Sequence, residues 1–436
     1  ILRPKGIAAV QKYQDFAEYL EITPATAIEA PRHGWRAKCL QRLIRLDMPV
    51  PKTVALSCDT VRAIAAGTLP ATDRLVALFG DAPLLAVRSS PANPDWGGPG
   101  TVLNVGMNAA RHQDMTESHG AATADAIYLK FVQSYAIHVA RLDPDMFAAE
   151  PSPTALAAAL AAYEAETDGE FPQSAARQLS EVLRSMARAW EGTTARLLRQ
   201  AKGAPPDAAL GLLVQQKVQM VGPGLAGFGT MQLVDGVTGA MQVTGRFKGQ
   251  LPANRKAEAT LYLVKDKRGA SLEEAEPAVF ADLQRHCANA RAKLREEMQI
   301  EFALENGGLK VIDAVKVPRS SRAAVRVAVG LARDGIISRD EALLRVEPRA
   351  LSELLHYQVD PRGQRDMFVR GINASPGAAS GRIVFNATDA QASAARGEPC
   401  ILVRRETSPE DIRGMHAAVA VLTERGGMTS HAAVIA

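Results

Sequence analysis

The hydrophobic period changes near residue 205, and that change constrains the fold more than any other feature of the chain. From about Ala121 to Gln200 the sequence is Ala-rich with helical spacing (TALAAALAAYEAE, QLSEVLRSMARAWEG). From 208 to 250 it turns strand-like: LGLLVQQKVQM and TMQLVDG flank a glycine loop, and MQVTGRF follows a second turn. A run of helices followed by a run of strands points to α+β organisation or to separate domains. With 436 residues the chain exceeds what one core sustains, so roughly two to four domains are expected.

The flanking regions mix both periods. Ala37–Leu46 has helical apolar spacing and stops before Met48-Pro-Val-Pro51, which fixes an extended exit. Pro83–Val87 reads as a buried strand running into Arg88-Ser89-Ser90, and PANPDWGGPGTVLNVG as a glycine-rich loop ending in another strand. Helical spacing returns from Pro277 to Gln299, and IEFALENGGLKVIDAV reads as a hairpin turning at Asn306-Gly307-Gly308. Ala323–Leu354 reads as helix, a break at Asp334-Gly335, then helix. Short strands and small residues (GRIVF, CILVRR, AVAVLT) follow a boundary placed near 365.

Charge and composition exclude several classes. Lys+Arg 51 against Asp+Glu 47 leaves +4, too balanced to argue for nucleic acid or an anionic membrane. No apolar run reaches the ~20 residues of a membrane helix, and Ile1 onward does not read as a signal peptide. Cys39, Cys58, Cys287 and Cys400 form no C-x-x-C pair, which fits a reducing cytoplasm. The histidines form no H-x-x-x-H, so any metal must be held by carboxylates or phosphates.

Four places carry candidate chemistry. Gly222-Pro-Gly224-Leu-Ala-Gly227 matches G-x-G-x-x-G, but a strand-like run follows where a dinucleotide site needs a helix. It is read instead as a glycine-rich hairpin whose N–H groups can fold over phosphates, or as a flexible hairpin without a ligand. Arg88, ending a strand beside a glycine loop, suits two phosphate oxygens, though an ordinary loop arginine is the commoner case. Glu301 shares a strand face with Gln299 and suits Mg²⁺ with phosphate oxygens; a solvated edge-strand glutamate is the commoner case. His431 follows Thr429-Ser430 in TERGGMTSHAAVIA, read as strand, turn and helix start. In a first helical turn its imidazole stays neutral and nucleophilic, and the N-terminus stabilises the phosphate it takes up.

The blocks GINASPGAASGRIVF, CILVRRETSPEDIRGM and VLTERGGMTSHAAVIA resemble the phosphohistidine swivelling domain of the pyruvate, phosphate dikinase family. HGWRAKCLQRLIRLDMPVP, LLAVRSSPANPDWGGPGTVLNVGMN, IEFALENGGLKV and AAVRVAVGLARDGIISRDEALLRV extend the likeness upstream. The resemblance implies an α+β and α/β multidomain chain. Residues 1–205 would be an ATP-grasp N-terminal subdomain with a helical insert at about 111–205. Residues 206–322 would be the second ATP-grasp subdomain, 323–365 a helical linker, and 366–436 a partial swivelling domain. It implies His431 as phosphate carrier with Thr429 beside it, and Arg36, Arg88, Glu301, Gly224 and Gly227 at the nucleotide, with Glu301 on Mg²⁺. The implied partners are ATP, inorganic phosphate and pyruvate or phosphoenolpyruvate (PEP), through a barrel beyond this chain. A cytoplasmic protein is implied, and a homodimer of the full-length protein is compatible with it. The reaction splits ATP with phosphate, giving AMP and pyrophosphate and leaving phosphate on His431.

The departures gather at the ATP end. Arg36 stands where the family carries a phosphate-binding lysine, and Gln299 where it carries aspartate. Ile312-Asp313-Ala314-Val315 replaces Leu-Gln-Thr-Arg, and Arg413 replaces glutamate. The loop from Pro91 to Thr101 lacks a methionine-aspartate pair, and no Gly-Glu-Asp-Val-Val segment follows GRFKGQ. A non-catalytic or regulatory homologue, or a kinase with another acceptor, are therefore the alternatives.

Overall fold

The structure is a computed structural model. It describes residues 19–425 except 222–223, 252–253, 266–268, 358, 361–362, 365, 368, 373, 376 and 409–410; side chains at 250–259, 349 and 353 are also left undescribed. The chain divides into two compact units, Ile1–Val234 with Met241–Val317, and Asp235–Ala240 with Pro318–Ala436.

The first unit opens with β1 (Tyr19–Glu21), α1 (Ala30–Ile44), β2 (Thr53–Leu56), α2 (Cys58–Ala65), α3 (Thr72–Ala77), β3 (Leu85–Pro91) and β4 (Val102–Val105). Helices α4 (Ala109–His119), α5 (Ala121–His138), α6 (Ala155–Thr167), α7 (Ala175–Glu191) and α8 (Thr193–Ala201) follow. Then come β5 (Leu210–Gln216), β6 (Ala226–Val234), β7 (Met241–Leu251), β8 (Asn254–Tyr262), α9 (Leu272–Ala275), α10 (Pro277–Leu294), β9 (Met298–Glu305) and β10 (Gly308–Lys316). They build two antiparallel sheets of five strands, ordered β1-β2-β5-β3-β4 and β10-β9-β6-β7-β8.

The helical block packs on one face of the first sheet. Its centre is a ring cluster of Tyr128, Phe131, Tyr135, Tyr163 and Phe171, with centroids 5.2–6.2 Å apart and edge-on or tilted planes, the arrangement aromatic quadrupoles favour. The opposite face of that sheet, through Ala55 and Leu213, shares a second core with α1 and the second sheet. Helix α1 buries Ala37, Cys39, Leu40 and Leu43 there, the i, i+3, i+4 stripe read from sequence.

Several sequence readings need correction. The glycine stretch does not join the two strands of a hairpin: β5 belongs to the first sheet and β6 to the second. Its second strand begins at Ala226, so the absence of a following helix stands. The helix from Pro277 ends at Leu294 rather than near Gln299, because Arg295 takes a left-handed conformation (φ 59°). Strand β8 is rich in charge and carries no alternating apolar pattern, so nothing in the sequence marks it. The Asn306-Gly307 turn is as expected, both residues at positive φ (52° and 76°) in a two-residue hairpin loop.

The second unit contains α11 (Ser321–Arg333), α12 (Arg339–Leu344), α13 (Pro348–Leu355), β11 (Arg382–Val384), α14 (Ala387–Ala395), β12 (Cys400–Arg404), α15 (Ile412–Ala417) and β13 (Ala420–Thr423). The turn 235–240 is held within it by Ser320 N–H to Gly236 O (2.9 Å) and Arg326 Nη1 to Thr238 O (2.9 Å). Strands β11, β12 and β13 form a parallel sheet in that order, with α14 and α15 as crossovers. Helix α13 adds a break to the two-helix reading of 323–354.

Helix α1 begins with a forced kink. Gly34 sits at φ 85°, ψ 164° inside the helical run, and a Cβ there would lie 1.7 Å from the Ser90 carbonyl oxygen. Gly34→Ala combines that clash with a left-handed penalty and is expected to cost at least about 2 kcal/mol in urea denaturation. A glycine in regular helix would instead gain stability on becoming alanine, so an unchanged or raised urea midpoint is the contrary result.

Candidate functional site

The kink at Gly34 starts a fresh helical turn directly over β3. Ser90 Oγ accepts the Ala37 N–H (3.2 Å) and donates to the His33 carbonyl (2.9 Å), so one hydroxyl fixes both sides of the bend. Burial lowers the pKa of His33, which keeps its imidazole neutral. Arg36 then projects from the first turn after the kink. Its Nε donates to Asp313 Oδ2 at 2.6 Å, and Nη1 donates to the Ser89 carbonyl.

Arg88 lies in the middle of β3 rather than at its end, and is 8% exposed. Nη2 donates to Glu301 Oε2 at 2.9 Å and lies 3.6 Å from Asp313 Oδ2. Nη1 donates to the Ile312 carbonyl (3.1 Å) and reaches Gln215 Oε1 (3.5 Å). Nε is buried without a hydrogen-bond partner.

The hairpin β9–β10 supplies both carboxylates. Counting back from the Asn306-Gly307 turn, Val311 pairs with Phe302, and a regular ladder would set Ile312 opposite Glu301. A bulge at Ile312 instead sets Asp313 opposite Glu301. It also releases the Ile312 carbonyl, which accepts from Arg88 Nη1 and Gln215 Nε2 (3.3 Å). Like charges directly opposed across strands repel, and two guanidiniums offset that here. Asp313 is 1% exposed with both oxygens engaged, Oδ1 by the Ala314 N–H at 2.9 Å.

Three residues marked from sequence therefore converge although they are far apart in the chain: Arg36, Arg88 and Glu301. Glu301 is not an edge-strand residue, since β9 lies between β10 and β6. Asp313 reads from sequence only as a departure, yet it is the most buried member. Gly224 and Gly227 stand apart from this cluster in their demands. A Cβ on Gly224 would lie 2.9 Å from the Asn306–Gly307 backbone, and one on Gly227 2.4 Å from Lys248 O, so packing of the second sheet requires both glycines. His431 and Thr429 lie outside the described residues.

Among the described residues no three His, Cys, Asp or Glu side chains gather as a metal cluster. Mg²⁺ on a nucleotide needs only one or two protein carboxylates, the rest coming from phosphates and water. Glu301 fits that demand, because among the described residues its Oε1 accepts no hydrogen bond. Gln299, on the same face, turns its amide nitrogen to Gln232 Oε1 (2.9 Å).

Lys217, which no sequence motif marks, directly follows β5. Burial pushes its ammonium down to about 8, with Glu305 pulling the other way. Glu305 also accepts the Gln219 N–H at 3.1 Å.

Known proteins share both units of this chain. Residues 396–436 match the family model "PEP-utilising enzyme, mobile domain". The chain is 31% identical to pyruvate, phosphate dikinase of Rhizobium meliloti (strain 1021), over 94% of this chain and 51% of that protein. It is 30% identical to the chloroplastic pyruvate, phosphate dikinase 1 of Oryza sativa subsp. japonica, over 92% and 46%. It is 31% identical to the Clostridium symbiosum pyruvate, phosphate dikinase, over 82% and 44%. The chain thus spans about half the length of the curated relatives it matches. No helix among the described residues is long and apolar enough to cross a membrane.

Removing either end of the central ion pair tests how the site is held. Asp313→Ala leaves two guanidiniums against a dry carboxylate position and is expected to cost about 3 kcal/mol in urea denaturation. Arg36→Ala leaves Asp313 with Arg88 and the Ala314 N–H, and is expected to cost clearly less, about 1–2 kcal/mol. For Lys217, the unfolded chain holds the proton more tightly than the folded one. Its penalty is full below about pH 8 and fades as pH rises to the ordinary 10.5. Lys217→Met is therefore expected to raise stability by about 1–2 kcal/mol at pH 7, with the gain shrinking above pH 8 in melts across that range.

Proposed function

Because the chain belongs to the pyruvate, phosphate dikinase family of PEP-utilising enzymes, we propose that it carries the nucleotide half of a dikinase-type phosphotransfer. Residues 1–205 (insert at about 111–205) and 206–322 are read as the two subdomains of an ATP-grasp domain. Residues 323–365 are read as the linker and 366–436 as part of the swivelling domain. ATP and inorganic phosphate give AMP and pyrophosphate, and one phosphoryl group is left on His431 for transfer to pyruvate.

The observation that carries this reading is the convergence of Arg36, Arg88 and Glu301 from α1, β3 and β9 onto one spot. The residues that the family likeness marks for the nucleotide come from opposite ends of the first unit, and nothing in local sequence would unite them. Two guanidiniums orient phosphates, and Glu301 would hold Mg²⁺, which supplies charge neutralisation of the transferring phosphoryl group when bound. Thr429 would donate a hydrogen bond to the group on His431. Incubation with β-³²P-labelled ATP, Mg²⁺ and phosphate is expected to label the wild type and not His431→Asn. An unlabelled wild type overturns the reading.

One observation favours a second reading, a homologue that binds without transferring phosphate. Both guanidiniums are already paired with protein carboxylates. Calorimetric titration with Mg-ATP separates the two, since micromolar binding counts against the second.

A further inference from the structure

We propose that Asp313 is a specificity-determining residue of this site: a built-in anion that holds Arg36 against the protein, so that a nucleotide's phosphates must compete with it. The inference rests on the phosphotransfer reading above and concerns how that site admits its ligand.

Three observations carry it. First, Arg36 Nε is bound to Asp313 Oδ2 at 2.6 Å, while Nη1 is spent on the Ser89 carbonyl. Each of the two edges by which a guanidinium grips two oxygens at once, Nε with Nη2 and Nη1 with Nη2, therefore has one of its donors already engaged. Second, Asp313 is 1% exposed and its second oxygen takes the Ala314 N–H. The carboxylate is a fixed, dry partner, unlike a surface residue that swings aside at little cost. Third, Arg88 is 8% exposed and has an Nε without a partner, although its terminal nitrogens reach Glu301, Asp313, Gln215 and the Ile312 carbonyl. One donor of the network remains unmet by the protein.

The two guanidiniums and two carboxylates cancel in formal charge. A polyphosphate arriving here meets no net attraction until Asp313 gives up Arg36. The bulge at Ile312 is what makes this arrangement, because without it Asp313 would not stand opposite Glu301. An uncharged amide at 313 would hold Arg36 Nε by at most a neutral hydrogen bond, which a phosphate oxygen displaces more readily than it displaces a carboxylate.

The test is Mg-ATP titration by calorimetry of the wild type and Asp313→Asn, with adenosine as the uncharged probe and circular dichroism as the check of folding. Asp313→Asn is expected to bind Mg-ATP at least tenfold tighter than wild type, with adenosine affinity changed less than twofold. A merely structural role for Asp313 predicts weaker binding of both probes. Wild type that binds Mg-ATP, with Asp313→Asn no tighter, overturns this proposal and leaves the phosphotransfer reading standing. Folded proteins of which neither binds Mg-ATP overturn both. Should Asp313→Asn fail to fold, Arg36→Gln decides. Arg36 withheld by Asp313 predicts a loss of Mg-ATP affinity below threefold, and a loss of threefold or more overturns the proposal.

Discussion

The ion pair between Arg36 and Asp313 ties the first unit together at its least forgiving point. It joins α1, just past the kink at Gly34, to the edge strand β10 of the second sheet, 277 residues along the chain. Hydrophobic burial brings α1 between the sheets, yet burial alone is indifferent to a rotation or slide of the helix. A directional bond of 2.6 Å to a carboxylate that is 1% exposed is not indifferent. Removing water from such charges is costly, so the pair contributes mainly by specifying one arrangement, and the cost is recovered only when every partner is in place. Gly34, Ser90 and the bulge at Ile312 are the backbone devices that put them there.

The legibility of this chain from sequence divides along the same line. Helices α1, α5, α7 and α10 and the strands of the β9–β10 hairpin are visible, because a repeated apolar period or a turn dipeptide marks each. Arg88 and Glu301 are visible as chemically suited residues on strand faces. What cannot be read is partnership. Strands β5 and β6 are neighbours in sequence and belong to different sheets, and the intervening glycines give the signature of a hairpin all the same. The bulge at Ile312 has no residue signature: no glycine or proline marks it, and a regular hairpin count assigns the wrong residue to face Glu301. Asp313 is consequently visible as a substitution and invisible as a site member.

The departures from the family pattern also look different once the hairpin is folded. Taken singly, Gln299 is a lost carboxylate and Asp313 a gained one. Their strands are adjacent, and Glu301 stands between them, sharing a face with Gln299 and opposing Asp313. Together they move one negative charge across the hairpin instead of deleting it. The move matters because the two positions differ in solvation: Gln299 is partly exposed and Asp313 is 1% exposed.

A carboxylate in the partly exposed position suits a hydrated cation, which keeps much of its water and takes oxygens from phosphate. A carboxylate in the dry position suits a guanidinium, which is weakly hydrated and gives up little on burial. On the family likeness, exchanging Asp and Gln between these positions would turn a surface suited to a hydrated cation into one in which the protein's own cations are engaged first. Arg36 in place of lysine belongs to the same change. A lysine is a point charge with a strongly hydrated head, whereas an arginine can hold Asp313 through Nε and the Ser89 carbonyl through Nη1 at once. Arg36 and Asp313 are therefore a coupled pair, each intelligible through the other, while Gln299 is bound to Gln232.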